Sequence, residues 1–592
     1  MNRPDALDPV SIEIVRNALI SAAVEMSIVL KRTAYNYIIN EGQDISAGLC
    51  NELGETLAQA PGLPEFVCDI PSAIHSIIDD IGGIGRFEEG DIYLTNDPYA
   101  NTFHVHDVNL IKPVFLAGGL IGFSCARAHW HDLGGASGAG SMQATEVFQE
   151  GVILRSVRLY RAGEVNEDIL RIIRENTRLP DGVLGDIRAQ VGACKIGEQR
   201  YLEIVERFGI NRFQSAAQQI LDIGEQQARQ ALASIPNGVY EAETCLDNDG
   251  IDLDRPLPVK VLVKVEDDRI NIDVGGSAAW CAGPMHANKN TTTSICRMVF
   301  KMLTTPTEPA NEGHFRMVSV TIPDECIFNA KRPQGTWPGF FALEALIDVI
   351  KRALADAIPD RVNADDYGKC TPAHIKGSYP DGSIFFLADT EGGGWGGKPF
   401  EDGENAMLFG DVRITPVELL ESKYPVRLTQ YLLRPDSGGA GRWRGGLGVI
   451  KDYLCLAPGM NFNAGLDRQV CPPQGVLGGA SAPGNRIVIK DADGTERVLP
   501  SKVTDYPVAP GQTISFQTAG GGGYASPTRR DPVLVAHDVR LGLVSSRQAR
   551  LVYGVAIDEA DNSVRSDETK KLRDSLNAIQ ETDSLLQSAA CS

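Results

Sequence analysis

Apolar residues recur at helical spacing through the first strong element of the chain. Ile12, Val15, Leu19, Ala22, Met26 and Val29 line one face, as a helix packed on a core requires. Asp8 stands where a helix N-cap belongs, and Pro9 follows in the first turn, where a missing N–H costs nothing. From Asn40 the texture changes to short runs, and Glu41-Gly-Gln-Asp-Ile-Ser-Ala-Gly-Leu reads as a turn entering a strand. Asp91 to Thr95 is a short strand. Asn96-Asp97-Pro98 marks a turn, because Asn and Asp bond their own backbone and Pro presets φ. Val108 to Phe115 and Leu120 to His129 are two further β-runs, broken by Ala117-Gly118-Gly119.

The pattern then turns helical from 165 to 234, with Ile169-Leu-Arg-Ile-Ile and the Gln- and Ala-rich stretch Ile204 to Leu232. Pro236-Asn-Gly ends it. Val259, Val261, Val263 and Val265 alternate at period two in a hairpin-like region that turns at Asp247-Asn-Asp-Gly. A helix is expected from Phe340 to Ala357. Strand-like runs follow at Ser383 to Leu387, Pro425 to Leu433, Val449 to Leu456, Arg486 to Lys490 and Thr513 to Gln517. Helices return at Val535 to Leu543 and Ser546 to Tyr553. A last one, carrying Leu572, Leu576, Ile579 and Leu586, follows a polar linker. The fold class is α+β: a strand-rich protein with a helical N-terminus, a helical insert and a helical C-terminus. Five segments are expected, at 1–164, 165–236, 237–380, 381–530 and 531–592.

Composition narrows the function. The 592 residues are 43% apolar, enough for a sizeable core. The net charge of −21 argues against nucleic acid or an anionic membrane as partner, since both need clustered Lys and Arg. No segment approaches about 18 consecutive apolar residues, and Met1 to Asp8 carries no apolar signal core. The twelve cysteines include no C-x-x-C pair and are sparse for a disulfide scaffold. These features predict a soluble, cytoplasmic chain with reduced thiols.

Nucleotide and nucleophile signatures fail. Gly392-Gly-Gly-Trp-Gly-Gly397-Lys398 begins like a phosphate-binding loop, but Pro399 follows. Proline there removes both the metal-binding hydroxyl and a backbone N–H. No G-x-S-x-G is present. Histidine is more telling. Of nine, four fall between 104 and 131: His104, His106, His129 and His131, with Asp107 and Asp132 beside them. Imidazole and carboxylate together suit a borderline divalent metal. If the two β-runs are neighbours, their ends converge. A turn or bulge near 104 would bring His104 and Asp107 to one side; the alternative is a set of hydrogen-bonding core histidines.

Asn96-Asp-Pro-Tyr, His104-x-x-Asp107 and Arg127-Ala-His129-x-His131-Asp132-x-Gly-Gly resemble the hydantoinase B/oxoprolinase family. Arg32-Thr-Ala-Tyr, Glu146-x-Phe-Gln-Glu-Gly, Asn311-Glu-Gly-x-Phe-Arg316 and the run from Arg434 to Gly448 extend the resemblance over about residues 8–556. It implies an ATP-dependent hydrolase of cyclic amides such as 5-oxoproline, hydantoin or caprolactam. A separate hydantoinase A-type ATPase subunit would carry ATP-Mg and phosphorylate the carbonyl oxygen, within an α2β2 assembly. Related subunits serve acetone and acetophenone carboxylases, the alternative reading. In those relatives a His-x-x-Asp pair and a downstream His hold a divalent metal. The matching positions are His104, Asp107 and His129, for Zn, Mn or Fe, with His131 and Asp132 as candidates to orient water or move its proton. Three runs depart from the family pattern: Asn40 to Asp44, Pro64 to Pro71 and Phe340-Phe-Ala-Leu. Their apolar lean suits a more apolar substrate.

Overall fold

Helix α1 (Pro9–Thr33) buries Ile12, Val15, Leu19, Ala22, Met26 and Leu30 along one face. In this computed structural model the Asp8 carboxylate caps it, accepting from the Val10 and Ser11 N–H groups at 3.0 and 3.1 Å, a contribution of about 1 kcal/mol. The structure describes residues 8–590 apart from positions 64, 65, 67, 139, 411 and 559, with only the backbone for 579–590. Met1 to Leu7, most of the stretch expected to lack a signal core, falls outside, as do Pro64 and Cys591; the side chains of Ile579 and Leu586 are likewise not described.

After α2 (Tyr37–Asn40) the chain builds its first sheet from β1 (Ile45–Asn51) and β2 (Thr56–Gln59). Past α3 (Ile70–Ile81), the sheet adds β3 (Ile92–Thr95), β4 (Asp107–Leu116), β5 (Gly119–His129), β6 (Val157–Arg161) and β7 (Glu164–Val165). The order is β2-β1-β5-β4-β3-β6-β7, antiparallel throughout. The expected helical insert comprises α4 (Glu167–Glu175), α5 (Pro180–Phe208) and α6 (Ile210–Leu232). Helices α1 and α5 cover one face of this sheet in a shared core.

A second sheet, β11-β10-β9-β8, uses β8 (Gly238–Leu246), β9 (Leu257–Glu266), β10 (Arg269–Asp273) and, after α7 (Lys289–Thr304), β11 (Val318–Thr321). Leu257 and the alternating valines of β9 all face its core. That core is filled by α8 (Phe340–Ala353), whose residues are buried on nearly every side, the charged Glu344, Asp348 and Lys351 among them.

Two more sheets close the fold. One orders as β13-β12-β16-β19 and the other as β14-β15-β20-β17-β18. They are built from β12 (Pro372–Ser378), β13 (Ile384–Thr390), and, after α9 (Val417–Lys423), β14 (Val426–Leu433), β15 (Val449–Cys455) and β16 (Met460–Gly465). The remaining strands are β17 (Arg486–Lys490), β18 (Glu496–Leu499), β19 (Lys502–Val508) and β20 (Thr513–Gln517). Helices α10 (Pro532–Arg540), α11 (Ser546–Leu551) and α12 (Ser566–Ala590) end the chain. The α+β class is as expected.

The glycine-rich segments serve close packing of backbone on backbone. A Cβ on Gly394 would meet the Gly446 carbonyl oxygen at 2.0 Å, and Gly394 N–H donates to Ala519 O at 3.1 Å. The thiols differ from expectation: Cys245 and Cys471 form a disulfide, with Cα atoms 5.9 Å apart. These residues lie 226 positions apart, so no local spacing could announce the pair. No described helix is long and apolar enough to cross a membrane.

Candidate metal centre

Strands β4 and β5 form a hairpin whose turn, Ala117-Gly118, takes positive φ of 49° and 81°. Counting back from that turn, the antiparallel register sets Asp107 directly opposite His129 at the open end. His104 arrives from a turn rather than a strand. The Asp107 N–H donates to the His104 carbonyl at 3.2 Å, which folds the two side chains toward each other. Asn96 pins that turn. Its amide donates to Val105 O (2.7 Å) and Val152 O (2.9 Å), and its oxygen accepts from Leu154 N–H at 2.6 Å.

The result is a compact donor set. His104, Asp107 and His129 each offer one ligand atom, all within 4.8 Å of one another. His104 Nε2 lies 3.8 Å from Asp107 Oδ2, and His129 Nδ1 lies 3.5 Å from Asp107 Oδ1. Asp44, just before β1, brings its Oδ2 to 3.8 Å from His129 Nδ1. Arg127, two residues before His129, forks between Asp69 (2.7 Å) and Asp107 (3.2 Å) and lies 3.9 Å from the Phe66 ring centroid.

Electrostatics follow from burial. Desolvation pushes His104 down to about 3 and His106 well below its usual range, so both rings are neutral at pH 7, the form that binds metals. Burial opposes charge on Asp107, but His104, Arg127 and His129 outweigh it and hold the carboxyl below its usual value. Burial also disfavours charge on His129, yet Asp107 and Asp44 leave it raised. His104 Nδ1, Asp107 Oδ1 and both nitrogens of His106 are buried without a hydrogen-bond partner. Unpaired buried polar atoms are costly, and this donor set fits a borderline divalent cation.

His131 and Asp132 go elsewhere. The strand ends at His129 and the chain bends away. Asp132 is fully buried, with Oδ1 2.8 Å from Arg178 Nη1 and Oδ2 accepting from Thr177 at 3.1 Å. The His131 ring packs edge-on to Tyr37 at 5.5 Å and lines a different cleft with Arg178 and Asp186.

The triad lies at one wall of a cavity whose other walls are mostly apolar: Phe66, Phe103, Trp337, Phe340, Leu343 and Ile347. Trp337 sits over His104 with ring centroids 4.3 Å apart and stacks on His374 at 5.9 Å. All three runs that depart from the family pattern reach this cavity, through Asp44, Phe66, Phe340 and Leu343. His374, from β12, also lines it. It stands alone in its stretch of sequence, so nothing local marks it.

Glu150 holds the loop that carries Trp337. Its carboxylate accepts from the Thr336 N–H (2.6 Å), the Trp337 N–H (2.9 Å) and the Thr336 hydroxyl (2.8 Å). Burial nonetheless pushes its carboxyl up to about 8. Glu150→Ala strands three donors, each costing about 1–3 kcal/mol if left buried and unpaired. Glu150→Gln keeps an acceptor oxygen. Thermal midpoints should therefore fall in the order wild type, Glu150→Gln, Glu150→Ala; equal midpoints for the two variants would dismiss this anchoring role.

Comparison with known proteins agrees with the motifs. The hydantoinase B/oxoprolinase family model matches residues 8–527. The B component of a putative D-/L-hydantoinase from Pseudomonas sp. (strain NS671) is 30% identical, covering 96% of this chain and 98% of its own. The beta component of the caprolactamase of Pseudomonas jessenii is 29% identical, covering 94% and 97%. The crystal structure of the ATP-dependent caprolactamase from that organism aligns with a TM-score of 0.89 at 28% identity, over 96% of this chain and 99% of that one. An acetone carboxylase structure shares the fold, with a TM-score of 0.90 at 19% identity over 97% and 84%. The chain belongs to the hydantoinase B/oxoprolinase family.

Proposed function

We propose that this chain is the B-type subunit of an ATP-dependent cyclic amide hydrolase. In this reading it opens a ring whose carbonyl oxygen has been phosphorylated by a hydantoinase A-type partner, in an α2β2 assembly. The observation that carries the reading is the His104–Asp107–His129 set facing an apolar-walled cavity. The hydantoinase and caprolactamase components among the relatives support it.

An amide carbon resists attack because resonance stabilises it. Phosphorylation of the oxygen breaks that resonance, so the remaining task is to deliver water to carbon. His104, Asp107 and His129 would hold a divalent metal such as Zn, Mn or Fe, which acts as a Lewis acid and lowers the pKa of nearby water. Arg127 fixes the Asp107 carboxylate from behind. Trp337, Phe340 and Leu343 exclude bulk water and seat the apolar part of a ring. Asp132 works at one remove. It holds Arg178, whose guanidinium also donates to the Gly134 and Gly135 carbonyls, so it positions the loop after the histidines. ATP chemistry belongs on the partner, because the glycine-rich segment here is occupied by its own backbone contacts.

The test is phosphate release by the chain purified with its A-type partner, given 5-oxoproline, hydantoin, caprolactam, acetone or acetophenone. Turnover is expected with a cyclic amide and without bicarbonate. Turnover that needs a ketone plus bicarbonate, with none on any cyclic amide, would make the chain a ketone-carboxylase subunit instead.

A further inference from the structure

Strand β13 contributes Asp389 to the wall of the same cavity. Its Oδ2 accepts from Lys451 Nζ at 2.6 Å and from the Tyr453 hydroxyl at 2.9 Å. Glu391 shares both partners: Tyr453 lies 2.7 Å from its Oε1 and Lys451 3.4 Å from its Oε2. All four residues are buried. Two carboxylates thus share one ammonium and one phenol, and a hydroxyl has a single proton to donate. Fully ionised, the cluster carries one surplus negative charge. Buried surplus charge is costly unless a proton or a cation compensates it. Burial pushes Glu391 up to about 7 against the pull of Lys451, in keeping with that shortage. Of the other carboxylates on this cavity, Asp44 stands beside His129 and Glu344 accepts from Cys370 N–H at 2.8 Å.

We propose that Asp389 is the group that receives the ring nitrogen. It accepts the N–H of the O-phosphorylated ring, which keeps that proton as an iminium, and then pairs with the ammonium of the opened product. This rests on the ring-opening reading above. One water breaks the C–N bond of the O-phosphorylated ring: its oxygen ends on the carbon as the carbonyl of an acyl phosphate, and a second water then releases phosphate and leaves the carboxylate. The nitrogen leaves as R–NH3+, having gained both protons of the first water. A cation therefore appears at the point where the wall lacks one.

The test compares a lactam with its N-methyl counterpart in the assembled complex. Wild type should favour the N–H substrate in kcat/KM by about 10- to 100-fold, the range for a hydrogen bond to a charged group. Lys451 and Tyr453 donate to Oδ2 and the Thr390 N–H to Oδ1 at 3.0 Å, so in Asp389→Asn two donors against one hold the amide oxygen at the Oδ2 place and put the –NH2 at the other. The preference should then drop to near 1, and likewise in Asp389→Ala, which leaves Lys451 paired with Glu391. A wild-type ratio near 1, or an unchanged ratio in either folded variant, overturns the proposal. A second measurement needs no variant. The ω-amino acid product should inhibit wild type at least about 10-fold more tightly than the ω-hydroxy acid of equal length; equal inhibition also overturns it. If wild type opens no cyclic amide, the ring-opening reading itself has failed.

Discussion

A His129→Ala chain, purified with its partner, is expected to contain about one equivalent less divalent metal than wild type. The reason is geometric. His129 Nδ1 lies 3.5 Å from Asp107 Oδ1, on the strand partnered with Asp107. Without it the set is reduced to His104 and Asp107, 3.8 Å apart on one turn. Ring opening should fall by more than about 100-fold, beyond the range for loss of an outer-shell contact. His131→Ala is the control, because its ring faces the cleft behind Tyr37. It should keep its full metal content. Elemental analysis of the three proteins decides the matter. Equal metal in wild type and His129→Ala removes that residue from the set, and loss in His131→Ala moves the site.

The hairpin behind this expectation is legible along the chain. Two β-runs broken by Ala117-Gly118-Gly119 bring their ends together if they are neighbours, and β4 and β5 are neighbours. A turn at His104 is the condition for convergence, and the chain turns there. Helix α1 is equally plain, except that Leu30 rather than Val29 completes its buried face. What periodicity cannot show is which sheets meet. His374, Trp337 and Phe340 reach the cavity from the second and third sheets and their connections, and no local pattern ties them to residue 104. Asp132 shows the opposite limit. Its place beside His131 puts it near the histidines in sequence, but the bend after β5 delivers it to Arg178. The Cys245–Cys471 bond joins segments too distant for any spacing rule.

The largest loss of stability should come from Arg127→Met. Arg127, Asp69 and Asp107 are 2%, 0% and 1% exposed. One guanidinium serves both carboxylates through separate nitrogens, Nη1 to Asp69 and Nη2 to Asp107. Removing it leaves two buried anions without their cation, a change that costs about 3–5 kcal/mol in comparable buried pairs. Arg127→Lys should recover only part, since a single ammonium cannot span the fork. Asp69 is further held by the Ser72 hydroxyl at 2.6 Å, so Asp69→Asn alone disturbs less. In the Arg127→Met, Asp69→Asn double variant one of the stranded charges is gone, and its loss should be smaller than the sum of the single losses. Denaturant midpoints and metal content measure the two consequences separately. Arg127→Met should unfold earlier and bind metal more weakly, because Asp107 loses the group that aims it. A midpoint unchanged from wild type would mean that the Asp69–Arg127–Asp107 chain holds neither the fold nor the site together, while strictly additive losses would mean that its members act independently.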